Sequence, residues 1–215
     1  MARTKAFDPN EVLLKALGVF GSRGYEGTSL PDLLKGLGIA RQSLYDTYGT
    51  KRNLFLAAVK HYMDGKSLDL TELVRQPGTA EELIRLVFEG IVNVLDDPVL
   101  RQDCFIISSA IEQAPRDEEL AAYLAANDRE VEEAFAAILE RGRERGELSA
   151  EARVRELAVF LTHERNALVL TAKLGADRAK LESIARTTLS VLALSLGGAE
   201  PASPDKPLRQ QNDSK

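Results

Sequence analysis

The sequence predicts an all-α protein: a three-helix head of helix-turn-helix type followed by a larger helical body, about nine helices in all. Three observations carry that reading. Apolar residues recur at i, i+3, i+4 and i+7, as in Leu13, Ala16, Leu17, Phe20 and again in Leu30, Leu33, Leu34, Leu37, which marks one face of a helix. Cap and stop residues bracket these periodic segments. No stretch of useful length alternates apolar and polar residues in the manner of a strand, and no internal repeat is present.

Composition bounds the rest. With 215 residues, 44% hydrophobic and 28% charged, the chain suits one large domain, or a small one on a medium one, with a core of its own. No apolar run nears the roughly 18 residues needed to span a bilayer. Asp8, Asn10 and Glu11 stand where a signal peptide would place its apolar stretch, so a cytoplasmic location is expected. Cys104 is the single cysteine, which excludes an intrachain disulfide and a multi-cysteine metal site. His61 and His163 are the only histidines and fall in no metal or triad spacing. No cofactor motif and no metal-ligand cluster is expected. The net charge of −5 argues against a polyanion partner for the whole chain. Its distribution does not: residues 1–52 hold eight Lys/Arg and five Asp/Glu, a charge of +3, which leaves −8 for the remainder. A basic head on an acidic body can meet a polyanion through the head alone.

The first helix starts at Asp8, Pro9 and Glu11, read as a cap, a first-position proline and a capping-box partner. Ser29 and Asp32 repeat the capping pattern for the second helix, with Pro31 in its first turn. Gly38 closes that helix, and Ile39 leads into a third that begins near Ala40 or Arg41. Two short helices across so short a glycine turn predict a helix-turn-helix. At about 100° per residue, Leu44 and Tyr48 face inward with Ile39. Gln42 and Asp46 then point away, with Ser43 and Tyr45 on the flanks and Arg41 at the start.

That outward set suits a DNA major groove. Glutamine pairs bidentately with adenine and arginine with guanine, and hydroxyls reach phosphates or base edges. Asp46 repels phosphate, and serves only by accepting from a cytosine amine or by orienting Arg41 or Gln42. Gly49 breaks the helix and Thr50 can cap the next, leaving Lys51 and Arg52 at a helix N-terminus, a favourable place for phosphate. A solvated surface pair is the alternative for these two cations.

The stretch GYEGTSLPDLLKGLGIARQSLYDTYGTKRNLF resembles the DNA-binding segment of TetR/AcrR-type transcriptional regulators. Gly24, Tyr25, Thr28, Ser29, Gly38, Ile39, Ser43, Leu44, Tyr45, Tyr48, Lys51 and Leu54 match that pattern in register. The resemblance is close over the first 60 residues and covers the rest by length and helical layout. It implies that Thr28, Arg41, Gln42, Ser43, Tyr45, Asp46 and Lys51 form the DNA-binding set, with Lys51 on a phosphate of a double-stranded operator. Two departures stand out. Ala40 replaces a frequent capping serine, and Pro31 occupies a position where some members use an arginine to reach a base.

Beyond the head, a connecting helix is expected over 50–68, then helices over 79–96, 99–113, 117–146, 150–174 and 178–196. Thr79 with Glu82 and Asp177 supply start signals, and Pro98, Pro115 and Gly146 supply stops. The expected organisation is a DNA-binding domain over 1–52, a ligand-binding and dimerisation domain over 53–197, and a disordered tail over 198–215, rich in Gly, Pro, Ser and charge. Apolar stripes through Leu161 and Leu168 on the penultimate helix, and through Leu181, Ile184, Thr188 and Leu192 on the last, suggest a homodimer built from two helices of each subunit. The same stripes could instead face the monomer's own core.

For a small-molecule effector, RQDCFIISSAIEQAP places Cys104, Ser108 and Glu112 near one helical face with Phe105 adjacent, and FLTHERNALVL sets His163, Glu164, Arg165 and Asn166 into an apolar helix. Apolar walls with a few polar groups describe a cavity. Cys104, Phe105, Ser108, Glu112 and His163 are the expected ligand-binding residues, while the second segment could equally satisfy its polar groups across a dimer seam. The first segment resembles that of a subgroup of these regulators in which the cysteine is common and in some members senses electrophiles. The other reading of Cys104 is inert core. A repressor released by a small apolar molecule is the function the resemblance implies. An all-helical enzyme, or an adaptor that has lost DNA binding, leaves the motif over 28–54 unexplained.

Overall fold

The computed structural model describes residues 7–196, so the expected tail over 198–215 lies outside the described residues. Among those described, the chain forms ten α-helices, one 3₁₀ turn and no strand. The head comprises α1 (Pro9–Arg23), α2 (Leu30–Leu37) and α3 (Arg41–Tyr48), and α4 (Lys51–Val74) leads out of it. The body adds α5 (Ala80–Asp96), α6 (Leu100–Cys104), α7 (Ile106–Gln113), α8 (Glu118–Glu144), α9 (Val154–Lys173) and α10 (Arg178–Leu196), with a 3₁₀ turn at Ala114–Arg116. The expected helix over 99–113 is interrupted at Phe105, which separates α6 from α7.

Local chemistry accounts for most boundaries. Ser29 and Asp32 close a capping box on α2, and Thr79 and Glu82 close one on α5, each satisfying two otherwise orphaned N–H groups. Asp8 caps α1 by accepting from the Asn10 N–H at 2.9 Å. Glu11 takes no part in that cap; it pairs with Lys15 one turn on, at 2.6 Å. Gly38 ends α2 at φ 69°, in the left-handed region where a Cβ would be penalised. α3 begins at Ala40 with no side-chain cap, as its sequence predicts.

α4 runs six residues past its expected end and belongs to two cores. Leu54, Phe55, Leu56, Ala58, Val59 and Met63 pack with Val12, Leu17, Phe20, Leu33, Leu37 and Leu44 of the head, while Leu70 packs in the body. Phe55 sits edge-on to Phe20 at 5.0 Å and tilted to Tyr25 at 4.8 Å, a geometry that aromatic quadrupoles favour. The head core also takes in Ile106, Ala110 and Leu120 from α7 and α8. Packing of the head therefore continues past residue 52.

The tightest contact between head and body is at Gly21. A Cβ there would lie 1.7 Å from the Gln102 carbonyl oxygen, so only glycine lets α1 lie against α6. Backbone, not a flexible side chain, blocks the space. Gly21→Ala should lower unfolding stability by about 1–3 kcal/mol, the usual cost of overpacking, as read by urea denaturation. An unchanged midpoint would mean that α1 and α6 separate without cost.

Candidate nucleic-acid interface and effector cavity

The outward face of α3 is built as its periodicity requires. Leu44 is fully buried and Tyr48 half-buried, its hydroxyl donating to the Pro9 carbonyl at 3.2 Å, which pins α3 to the start of α1. Arg41, Gln42, Tyr45 and Asp46 are exposed, and Ser43 is partly so. Gln42 Nε2 donates to Asp46 Oδ1 at 2.7 Å, so Asp46 orients the glutamine amide. Arg41 lies 5.7 Å from the Tyr45 ring centroid. Both long side chains at this face are thereby preordered.

One member of the expected set, Thr28, and one of the two cations at the start of α4, Arg52, take other roles. Thr28 is fully buried and donates from Oγ1 to the Gly24 carbonyl at 2.6 Å; it fixes the loop before α2 and has no surface to offer DNA. Arg52 is turned away from the α4 N-terminus. Its Nε and Nη2 grip Asp117 at 2.6 and 2.7 Å, and Nη2 also reaches Glu119 at 3.0 Å, a fork that matches carboxylate geometry. Lys51 alone remains for a phosphate, held 4.3 Å above the Tyr25 ring, where Thr50 caps α4 through the Asn53 N–H at 3.0 Å.

The Arg52 fork ties α4 to the first turn of α8. Hydrogen bonding from Arg52 holds the Asp117 carboxyl below the usual aspartate range, and the same bonds raise the Arg52 guanidinium. A lowered carboxylate pKa gives stability that is complete above the unfolded value and lost as pH falls toward the folded one. Asp117→Asn keeps an oxygen to accept from the Leu120 N–H, 3.1 Å away in the native chain, but removes the charge. Its melting temperature should lie below the native one at neutral pH, and the gap should close below the ordinary aspartate pKa of about 3.9. A gap that persists far below that pH would assign it to something other than charge.

A cavity of about 490 Å³ opens between α4, α5, α6, α7 and α9. Leu70, Leu73, Val87, Ile91, Val94, Ile107 and Val169 form its walls, and Tyr62, Cys104, Arg165 and Asn166 supply polar atoms. A smaller one of about 230 Å³ shares Ile107, Arg165 and Asn166 and adds Met63, Ile111, Leu124 and Asp128. Cys104 therefore lines the space as expected, but Phe105, Ser108 and Glu112 do not. The face of α6 and α7 turned to the cavities runs through Cys104, Ile107 and Ile111, one residue earlier in the turn than the expected Cys104–Ser108–Glu112 line. Phe105 packs beside the body core, and Glu112 is exposed and ion-paired to Lys173 at 3.7 Å.

His163 is also relocated. It lies on the outer side of α9, exposed, with Nδ1 2.8 Å from the Val159 carbonyl oxygen. Arg165 and Asn166, two and three residues on, are the members of that segment that reach the cavities, and Arg165 shares a face with buried Leu161, Leu168 and Val169. Burial pushes the Cys104 thiol up, which withholds the thiolate a reactive cysteine needs. That favours Cys104 as part of the cavity wall over Cys104 as a sensor.

The residues expected at a subunit interface serve the monomer instead. Leu161, Leu168, Leu181, Thr188 and Leu192 are buried within one chain, and Ile184 packs against the same core. They fill the space α9 and α10 share with α5 and α8, so the core reading of those stripes holds. What α9 leaves outside is a second stripe: Val159, His163, Ala167, Leu170 and Leu174, all exposed, with Leu170 at 56% and Leu174 at 80%.

Comparison with known proteins settles the family. A family model described as "Bacterial regulatory proteins, tetR family" matches residues 12–58, and one described as "Tetracyclin repressor-like, C-terminal domain" matches residues 80–188. The chain belongs to the TetR family. It is similar to the uncharacterized HTH-type transcriptional regulator YezE of Bacillus subtilis (strain 168), with 49% identity over 193 residues, 89% of this chain and 100% of that protein. It is also similar to the HTH-type transcriptional repressor ComR of Escherichia coli (strain K12), with 30% identity over 188 residues, 87% of this chain and 90% of ComR. Among solved structures, a cysteine mutant of the TetR family regulator CifR, complexed with a 26-bp double-strand operator, superposes with a TM-score of 0.77 at 28% identity, covering 87% of this chain and 98% of that one. TetR proteins are DNA-binding transcriptional regulators, not enzymes. No helix among the described residues is long and apolar enough to cross a membrane.

Proposed function

We propose that this TetR protein is a ligand-released repressor that binds a two-half-site operator as a homodimer. The observation that carries the reading is the α3 face, where Arg41, the Gln42–Asp46 pair and Tyr45 stand exposed and preordered above a buried Leu44, with Lys51 beside them. Such a face suits base edges, and Lys51 suits a phosphate. One such head gives modest affinity; two, spaced about 34–36 Å apart in successive major grooves, give more contacts and a symmetric site. The operator complex of CifR and the repressor name of ComR support this assignment.

For the second copy, the outer α9 stripe from Val159 to Leu174 is the surface we assign. Exposed apolar residues in continuous helical register are what a helical bundle between subunits buries. Release follows if an effector in the cavity favours a spacing of the heads that no longer fits the grooves. Its size is limited by the effector's differential affinity for the two states.

Two experiments test these assignments. In gel shifts with DNA from upstream of its own gene, Gln42→Ala should lose roughly 1–3 kcal/mol on the operator only. Lys51→Ala should weaken operator and random DNA alike and flatten the salt dependence. Equal losses on both DNAs for Gln42→Ala would remove that residue from base readout. In sedimentation, native protein should run as a dimer and Leu170→Glu as a monomer with unchanged helical content. A dimeric Leu170→Glu protein would place the interface elsewhere.

A further inference from the structure

The larger cavity has a polar end and an apolar length. Arg165 extends from a helix face otherwise made of Leu161, Leu168 and Val169, and its side chain borders both cavities. Its overall exposure is intermediate. No hydrogen bond or ion pair engages its guanidinium among the described residues. Asp128, the nearest acid on α8, is within electrostatic range but instead accepts from Asn166 Nδ2 at 3.4 Å. Lys66, the other cation of the cavity, is paired to Asp69 at the exposed rim, 3.1 Å away.

Burial lowers the Arg165 pKa, yet arginine keeps its proton in proteins. A fixed positive charge with five N–H donors thus borders a largely apolar cavity with no carboxylate among the described residues hydrogen-bonded to it. Such an uncompensated charge is costly unless something binds there. Tyr62 and Cys104 stand beside it in the cavity wall. Past them the walls are aliphatic out to a rim of Lys66, Asp69, Glu72 and Gln76.

We propose that the cavity receives an organic acid, whose carboxylate forks onto Arg165 beside Tyr62 and Asn166 while an alkyl body lies along Leu70, Leu73, Ile91 and Val94. This deepens the effector-release reading and rests on it for its regulatory meaning. It also gives a charged end to the small, largely apolar effector that the sequence suggests. The planar guanidinium selects a planar anion with two oxygens, and the walls select for chain length. A neutral compound of equal length gains the walls but leaves the arginine unpaired.

The test is calorimetric titration of the full-length protein with hexanoate, octanoate and decanoate, each against the alcohol of equal chain length. At least one acid should bind, and at least roughly tenfold more tightly than its alcohol, as one charged hydrogen-bonded pair commonly gives. Arg165→Gln should erase that preference, and Arg165→Lys should keep part of it. Circular dichroism on both variants separates loss of preference from loss of fold, and Arg155→Gln, which removes an exposed arginine of the same helix outside the cavity, should still prefer the acid. Equal binding of acid and alcohol by the native protein, binding of none of the acids, or a preference that survives Arg165→Gln would overturn the proposal. An acid that binds through Arg165 yet leaves the operator complex intact in a gel shift would uphold the carboxylate site and overturn effector release.

Discussion

The structure depends on α4 passing from one core into the other without a break. Leu54 to Met63 close the head against α1, α2 and α3, and Leu70 lies in the body, with Tyr62 packed against both. A helix is stiff on the length of a few turns, so a displacement of its body half cannot be absorbed before it reaches the head. Tyr62 is also in the cavity wall beside Cys104 and Arg165. A residue lining the ligand space is therefore already part of the lever that carries the DNA-reading face. Gly21 of α1 against Gln102 of α6 and the Arg52 fork onto Asp117 tie head to body at two further points, so the head has few independent ways to move.

Charge follows the same division of labour. The head is positive and the body strongly negative, yet the head's cations are not equivalent. Arg23 is committed to Asp32 within the head and Arg52 to Asp117 in the body. Arg41 and Lys51 are left near α3, each resting on an aromatic ring. A count of positive residues overstates what can reach a phosphate. Inside the body, the reverse holds: arginines such as Arg85, Arg143, Arg155 and Arg178 pair with acids at the surface, whereas Arg165, which borders the cavity, has no ion pair among the described residues.

Much of this was legible in the sequence because it is local. Caps at Ser29 and Thr79, the stop at Gly38 and the inward set of Leu44 and Tyr48 follow from a few neighbouring residues and the helical period. What was not legible required knowing which helix packs on which. Thr28 reads as a surface hydroxyl until the Gly24 carbonyl is found to take it. Leu161, Leu168, Leu181 and Leu192 read equally well as core or interface, since periodicity identifies an apolar face but not its occupant. The break at Phe105 carries no glycine or proline to announce it, and it turns Ile107 rather than Ser108 toward the cavity. Arg165 was visible as a charge in an apolar helix; its period with Leu161 and Leu168 separated it from His163, and that signal was available without coordinates.

The central claim, that cavity and head move as one body through α4, is tested most directly by the distance between the two heads of a dimer. A nitroxide at Ser22→Cys, on the exposed side of α1, reports it by pulsed electron spin resonance, and buried Cys104 should escape the label. The account predicts one narrow distance with operator bound and a different, DNA-incompatible distance when decanoate fills the cavity. Decanoate that binds and releases operator while leaving the head-to-head distance unchanged would contradict it.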